Sequence, residues 1–186
     1  GIVYTWRVLP FGMASAPMCF QSVTAKMGGI LRKQGIPNVV YLDDFLFLPH
    51  GDAESAQNIF LRAQNILLDY GWVISVTKTS PRPTPSLQFL GLQLDVPGAI
   101  LSVPDLKVQL MCHSLLTLSS RTSIPNLELA HIIGRLVSFS PASKYPFWLP
   151  WQLFSDLNPC VQQQGWGGQV TLSMASRQAA IFYVRH

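Results

Sequence analysis

Val39-Val40-Tyr41-Leu42-Asp43-Asp44-Phe45-Leu46-Phe47-Leu48 sets two adjacent carboxylates in the middle of an apolar run. An ionised carboxylate buried among such neighbours without a partner carries a large desolvation cost, so the pair must stand at a turn, face a cation or bind metal. The run divides as a hairpin: Asn38 to Tyr41 forms one strand, Leu42 to Asp44 the tip and Phe45 to Leu48 the return. On these residues alone two readings stand side by side. Asp43 and Asp44 are turn residues, which Asp favours for its local hydrogen bonds, or they are metal ligands.

Upstream of the run, Ser15 is placed to cap a helix with Pro17 in its first turn, and Phe20, Val23, Met27, Ile30 and Leu31 recur at helical spacing until Gly35 ends it. Arg32 and Lys33 fall in the last turn, where a helix favours cations. Gly28-Gly29 costs about 1 kcal/mol per glycine relative to Ala, which predicts a close backbone approach or a bend at that point. Downstream, Asp52 caps a second helix with Ala56, Ile59, Phe60, Ala63, Leu67 and Tyr70 on its buried face, and Gly71 closes it. Trp72 to Val76 reads as a strand and Ser80 to Pro85 as a Pro-rich loop. Leu87 to Leu94 and Ala99 to Val103, joined through Pro97-Gly98, read as a hairpin. From Pro104 the periodicity is helical, over Asp105 to Leu118, Asn126 to Phe139 and Ser173 to Arg185. The order is that of an α+β fold, with a boundary near Val103 separating residues 1–103 from residues 104–186.

At 186 residues the chain is long enough to bury a core, and with 48% hydrophobic and 12% charged residues it is not a disordered tail. No apolar stretch approaches the roughly 20 residues of a membrane span, so a membrane is not an expected partner. Three cysteines, Cys19, Cys112 and Cys160, form no CxxC pair and read as reduced thiols of an intracellular protein, cytoplasmic or nuclear. A net charge of +4 from scattered cations is compatible with a phosphate backbone as partner and is a weak signal by itself. Gly1 to Arg7 (GIVYTWR) reads like a strand entered partway, as expected of a piece of a longer protein.

Four blocks follow one another in a recognisable order. Leu9-Pro10-Phe11-Gly12-Met13-Ala14-Ser15-Ala16-Pro17 with Phe20-Gln21, then Tyr41-Leu42-Asp43-Asp44, then Lys78, then Phe89-Leu90-Gly91, resemble the motifs of a reverse transcriptase. The first block is similar to the LPFGxxxAPxxFQ motif of retroelement enzymes, and the second to their YxDD box. Farther on, Ile132-Ile133-Gly134-Arg135-Leu136, Gly165-Trp166 and the Leu172-Ser173 helix most resemble DIRS-type, tyrosine-recombinase retrotransposons. The resemblance implies part of a right-hand polymerase palm, an antiparallel sheet with packed helices, followed by a helical thumb and connection. It also implies an RNA- or DNA-templated DNA polymerase acting on a primer and a deoxynucleoside triphosphate. Magnesium, with manganese as an alternative, would be held by Asp43 and Asp44 and would stabilise the attacking and leaving oxygens.

The remaining roles come from the same resemblance. Gly12 lets backbone approach the template base pair, since it has no Cβ. Phe11 lies near the incoming nucleotide, and Tyr41 and Leu42 lie beside the primer terminus. Lys78 faces the leaving pyrophosphate, where an ammonium neutralises charge or donates a proton; an ordinary exposed lysine is the plain alternative. Phe89-Leu90-Gly91 forms a primer grip, or is core packing within a strand with the glycine marking a bulge. Lys107, Arg121 and Arg135 on the thumb helices contact the nucleic-acid backbone, or belong to a solvated helix face.

The pattern is also incomplete in one respect. The family draws another metal-binding carboxylate from a strand upstream of the LPFG block, yet residues 1–42 contain no Asp or Glu. The chain alone is therefore expected to lack polymerase activity, with fingers and first palm strand upstream in its parent and a ribonuclease H domain downstream. Phe154-Ser155-Asp156 and Gly165-Trp166-Gly167 faintly echo such a nuclease, but no Asp or Glu follows Asp156. Cys112-His113 with His131 lacks the paired spacing of a zinc site. Tyr145-Pro146-Phe147-Trp148-Leu149-Pro150-Trp151 reads as a packed junction or partner surface ahead of a base-stacking platform. Two rival functions stand beside the polymerase: a degenerate, non-catalytic derivative that binds nucleic acid or serves a structural role, and a metal-free α+β protein whose Asp pair is only a turn.

Overall fold

Ala16–Lys33 form the first helix, α1, and Ala53–Asp69 form α2. Both end in the same way. Gly35 takes φ +75° while its N–H donates to the Arg32 carbonyl and that of Ile36 to the Leu31 carbonyl, both at 3.0 Å. Gly71 takes φ +79°, with Gly71 N–H on Leu68 and Trp72 N–H on Leu67. A left-handed glycine with this pair of reversed bonds is the Schellman ending, in which the residue after the glycine folds back onto the helix's last apolar turn. Ile36 is thereby buried against Leu31, and Trp72 packs into the same cluster with Leu67, Met27 and Ala63.

The computed structural model describes residue 5, residues 7–144 and residues 147–185. The strand expected over Gly1–Arg7 lies outside the described residues apart from Thr5 and Arg7, which are in no strand; Tyr145 and Pro146 of the aromatic stretch also lie outside them. Among the described residues there are six helices and three small antiparallel sheets, the α+β class expected. No helix among them is long and apolar enough to cross a membrane.

Between α1 and α2 lies a two-stranded hairpin, β1 (Asn38–Tyr41) and β2 (Asp44–Phe47), in the register Asn38↔Phe47 to Tyr41↔Asp44. The predicted tip of Leu42 to Asp44 is one residue too long: Asp44 is the first residue of β2 and pairs with Tyr41, leaving Leu42-Asp43 as a two-residue turn. Trp72 to Val76 forms no strand. The segment does alternate, with Trp72 and Ile74 turned inward and Val73 97% exposed, but no neighbouring chain completes a ladder among the described residues. Alternation reports a half-buried extended chain; a strand also needs a partner.

The chain divides into two compact units, the first ending at Thr84 and the second beginning at Pro85. The hairpin region expected to belong with the first part is instead grouped with the helices that follow it. It is a three-stranded meander, β3 (Ser86–Phe89), β4 (Leu92–Asp95) and β5 (Ile100–Ser102). Leu87 to Leu94 is thus two strands, because Leu90-Gly91 is a turn between Phe89 and its partner Leu92. Helices α3 (Asp105–Ser120), α4 (Asn126–Phe139), α5 (Trp148–Gln164) and α6 (Met174–Arg185) close around Leu115, Leu118, Leu129, Ile133, Leu149 and Leu153. Two features depart from the expected all-helical end. A short ladder pairs β6 (Ser123–Pro125) with β7 (Gln169–Thr171). Helix α5 also occupies a stretch that its aromatic residues and Pro150 and Pro159 disguised as loop; Pro150 falls in its first turn, where the missing N–H is harmless.

Two details of the first unit yield measurements. A Cβ on Gly28 would meet Val40 Cγ2 at 2.7 Å and Asn38 Oδ1 at 2.9 Å, whereas one on Gly29 would meet only an Arg32 guanidinium nitrogen, at 4.0 Å. Gly28→Ala should therefore lose about 1–3 kcal/mol by overpacking, while Gly29→Ala should gain roughly 0.4–1 kcal/mol. Urea unfolding of the two variants should give midpoint shifts of opposite sign. Asp52, the α2 cap, accepts from the Ser55 N–H at 2.8 Å, and the Ser55 side chain and then its backbone hold the Asp52 carboxyl below the usual aspartate range. A depressed pKa means the cap's contribution is complete above the ordinary carboxylate range and is lost as pH falls through Asp52's own lowered value. In an acid titration followed by NMR, the Ser55 amide should shift only below the ordinary Asp range.

Candidate nucleic-acid site on the first hairpin

The Asp43-Asp44 hairpin is fixed to α1 at three points. At its base, Asn38 is buried and donates through Nδ2 to the carbonyls of Gly28 (3.1 Å) and Ile36 (2.9 Å), while its Oδ1 accepts from Arg32 at 3.0 Å. Arg32 lies in the last turn of α1 as expected and is engaged here as well. Midway, Val40 closes on Gly28, where no side chain stands between them. At the tip, the Leu42 N–H donates to Gln21 Oε1 at 2.6 Å. From Gly28 back to Gln21 is about 10 Å of helix and from Asn38 to Leu42 about 13 Å of strand, so helix and strand run antiparallel with matched lengths.

The register decides which side chains face outward. Val40, Phe45 and Phe47 lie on the face toward α1, with Phe45 and Phe47 in the core beside Trp72. Tyr41 and its cross-strand partner Asp44 share the opposite face, both exposed. Asp43 is exposed in the turn, next to Leu42, whose φ of +49° is left-handed. That conformation costs a side chain other than Gly or Asn roughly 1–2 kcal/mol. No cation lies within ion-pair distance of Asp43 or Asp44 among the described residues. The initial electrostatic dilemma is thus resolved by exposure: both carboxylates keep their water.

As a donor set the pair suits magnesium, which takes hard oxygens from one or two protein carboxylates and fills its remaining positions with phosphate and water. Among the described residues no group of three or more His, Cys, Asp or Glu converges for a metal. His113 and His131 line one cavity between α3 and α4 with Arg121 and Arg135, but Cys112 does not join them. Asp156 is engaged elsewhere, accepting from the Ser173 N–H (2.9 Å) and the Ser176 hydroxyl (2.6 Å) at the start of α6. It is a capping carboxylate.

The other expected residues are spread over both units. Phe11, fully exposed, and Gly12, exposed and at φ +88°, precede α1. Lys78 is exposed in a turn stabilised by Thr79, whose hydroxyl donates to the Ser75 carbonyl at 2.7 Å. No hydrogen bond among the described residues ties Lys78 or the Phe11-Gly12 loop to the hairpin. Phe89-Leu90-Gly91 belongs to the second unit and is a strand end and turn, not the strand interior or bulge expected of it: Phe89 closes β3, and Leu90 at φ +49° and Gly91 at φ +83° make the turn. Gln21 and Asn38 carry positioning work that motif reading gave to neither. The one signal for Asn38 was an amide opening an otherwise apolar strand; Gln21 was visible only as the last letter of a motif.

A family model described as reverse transcriptase (RNA-dependent DNA polymerase) matches residues 1–94 of the 186, just over half of the chain. The chain belongs to the reverse transcriptase family. Protein P of duck hepatitis B virus (isolate brown Shanghai duck S5) is 34% identical over 94 residues, 50% of this chain and 12% of that protein. Polyprotein P3 of Commelina yellow mottle virus is 32% identical over 92 residues, 50% and 5% respectively. The Pro-Pol polyprotein of feline foamy virus is 31% identical over an alignment of 196 positions, reaching 94% of this chain and 16% of the polyprotein. A solved foamy viral protease-reverse transcriptase in complex with double-stranded DNA shares the fold at TM-score 0.62 and 18% identity, over 97% of this chain and 28% of that one. This member of the reverse transcriptase family thus spans a small fraction of each relative.

The Gln21 contact has a direct readout. Gln21→Leu removes the acceptor of the Leu42 N–H, and losing about 1–1.5 kcal/mol there should speed that amide's hydrogen exchange roughly tenfold. Val39 and Leu46 amides, which face each other in a hydrogen-bonded pair of the ladder, should exchange as before.

Proposed function

We propose that this chain is the palm and thumb portion of a DNA polymerase that copies RNA or DNA from a primer with deoxynucleoside triphosphates, with Asp43 and Asp44 as its magnesium ligands. The observation that carries this reading is the hairpin tip: two exposed carboxylates without a counter-ion among the described residues, one in and one beside a rigidly held two-residue turn, in a chain of the reverse transcriptase family. Bound there, magnesium, or manganese in its place, supplies a Lewis acid that stabilises charge on the attacking and leaving oxygens.

The chain's own residues do the positioning. Tyr41, on the face shared with Asp44, and Leu42 lie beside the primer terminus. Gly12, with no Cβ, lets the backbone meet the template base pair, and Phe11 covers the incoming nucleotide. Lys78 neutralises or protonates the leaving pyrophosphate. Phe89, Leu90 and Gly91 contact the primer strand. Arg121 and Arg135, on the cavity between α3 and α4, face the nucleic-acid backbone, a contact that places the duplex without reading its sequence. The double-stranded DNA bound by the foamy viral enzyme supports nucleic acid as the partner.

Two finer readings rest on sequence alone. Residues 1–42 hold no Asp or Glu, so the site is one carboxylate short of the family pattern and the 186-residue chain by itself should not extend a primer. Ile132-Ile133-Gly134-Arg135-Leu136, Gly165-Trp166 and Leu172-Ser173 point to a DIRS-type retrotransposon, whereas the relatives named above are viral. A tyrosine recombinase encoded beside the parent gene supports that subclass, and a protease or integrase in its place removes it.

Asp43→Asn or Asp44→Asn in the parent polymerase should lower primer extension by roughly 10²–10³-fold or more. Manganese titrated into the 186-residue chain should broaden the NMR signals of residues 41–44, and Asp43→Asn should abolish the effect. Undiminished extension by the Asp43→Asn parent would falsify the assignment; extension by the 186-residue chain alone would remove the need for a further carboxylate.

A further inference from the structure

The turn between β3 and β4 has two residues, and both have positive φ: Leu90 at +49° and Gly91 at +83°. A two-residue turn of this kind favours Asn-Gly, because its first position is left-handed and unfavourable to a branched apolar side chain. Here that position holds a leucine whose side chain is left 49% exposed. Something outside the turn must help to hold it.

The structure supplies one such contact. Lys107 Nζ donates to the Gly91 carbonyl at 2.8 Å, across sixteen residues of chain. The ammonium also stands 2.8 Å from where a Gly91 Cβ would be, but it is the end of a flexible side chain, so glycine is required here by its φ of +83° rather than by space. Lys107 is the third residue of α3, whose first turn also carries Asp105. A helix N-terminus disfavours a cation, so helix electrostatics give no reason for a lysine there, whereas the turn carbonyl does. Of the three cations expected to contact nucleic acid, Arg121 pairs with Glu128 at 3.1 Å, Arg135 has no ion-pair partner among the described residues, and Lys107 is engaged by the turn.

We propose that Lys107 is a positioning residue: its ammonium fixes the Leu90-Gly91 turn so that the Leu90 side chain and Gly91 backbone meet the primer strand, and it does not itself neutralise a phosphate. The proposal rests on the reading above in which this turn touches the primer. It differs from a phosphate contact in one measurable respect. Removing a lysine that neutralises a phosphate reduces the salt dependence of binding by about one unit of slope, whereas loosening a turn weakens binding at unchanged slope.

The test uses the 186-residue chain as wild type, Lys107→Met, which keeps an unbranched apolar stem without the charge, and Lys107→Arg, which keeps a donor. NMR should show the Leu90, Gly91 and Leu92 amides displaced and exchanging faster in Lys107→Met and restored in Lys107→Arg. Binding to a labelled primer–template duplex across a sodium chloride series should weaken by about 3–10-fold in Lys107→Met, the effect of one lost hydrogen bond, with the slope of log affinity against log salt unchanged and Lys107→Arg within about twofold of wild type. A slope lowered by about one overturns the proposal in favour of a direct phosphate contact, and turn amides that Lys107→Met leaves in place overturn the latch itself. A wild-type chain that binds no duplex overturns the primer reading beneath both, and the amide shifts tell that failure from the loss of the latch.

Discussion

The close approach of β1 to α1 at Gly28 is the constraint on which the first unit is built. A side chain there would strike Val40 and Asn38, so any other residue would lift the hairpin from the helix. At the distance glycine allows, the Asn38 amide reaches the Gly28 and Ile36 carbonyls and Gln21 reaches the Leu42 N–H. Position along the helix is thereby converted into position along the hairpin. The two carboxylates stand at the far end of that arrangement, where an uncertainty of one residue in register would exchange the outer face for the core face.

Each unit carries one hairpin of the same design: a two-residue turn begun by a left-handed leucine and held by a polar side chain from a helix. In the first, the helix precedes the hairpin and an amide oxygen receives a backbone N–H. In the second, the helix follows and an ammonium donates to a backbone carbonyl. Neither turn has the Asn-Gly or Gly-Gly sequence that would set its shape unaided, although Gly91 suits the left-handed second position of the second turn. Their shape is imposed from outside, which suits a surface that must present particular atoms to a ligand.

Much of this was legible in the sequence because its signals are local. Gly35 and Gly71 end helices through a backbone requirement that only the adjacent residues need to satisfy, and Asp52 caps through a neighbour three residues on. The glycine pair in α1 likewise announced a close approach, though not which of the two would make it. What escaped was whatever depended on a distant partner. Ser15 stands before α1 in helical conformation without a capping bond, and Val23 is exposed while Thr24 is buried and bonds back to Phe20 and Gln21. Trp72 to Val76 has a strand's alternation without a strand's neighbour, and α5 runs through prolines that read as loop. The site motifs were visible as letters, but the latches Gln21 and Lys107 act across twenty-one and sixteen residues, beyond the reach of any local pattern.

The left-handed leucines have a consequence for engineering. At both Leu42 and Leu90, asparagine or glycine would suit the backbone better, by roughly 1–2 kcal/mol. A selection for thermal resistance alone should therefore replace these two residues early, and would in doing so strip from the hairpin tips the half-buried Leu42 and the exposed Leu90 side chains. Where stability and activity compete in this molecule, the contest is localised to two leucines that a stability score would mark as errors.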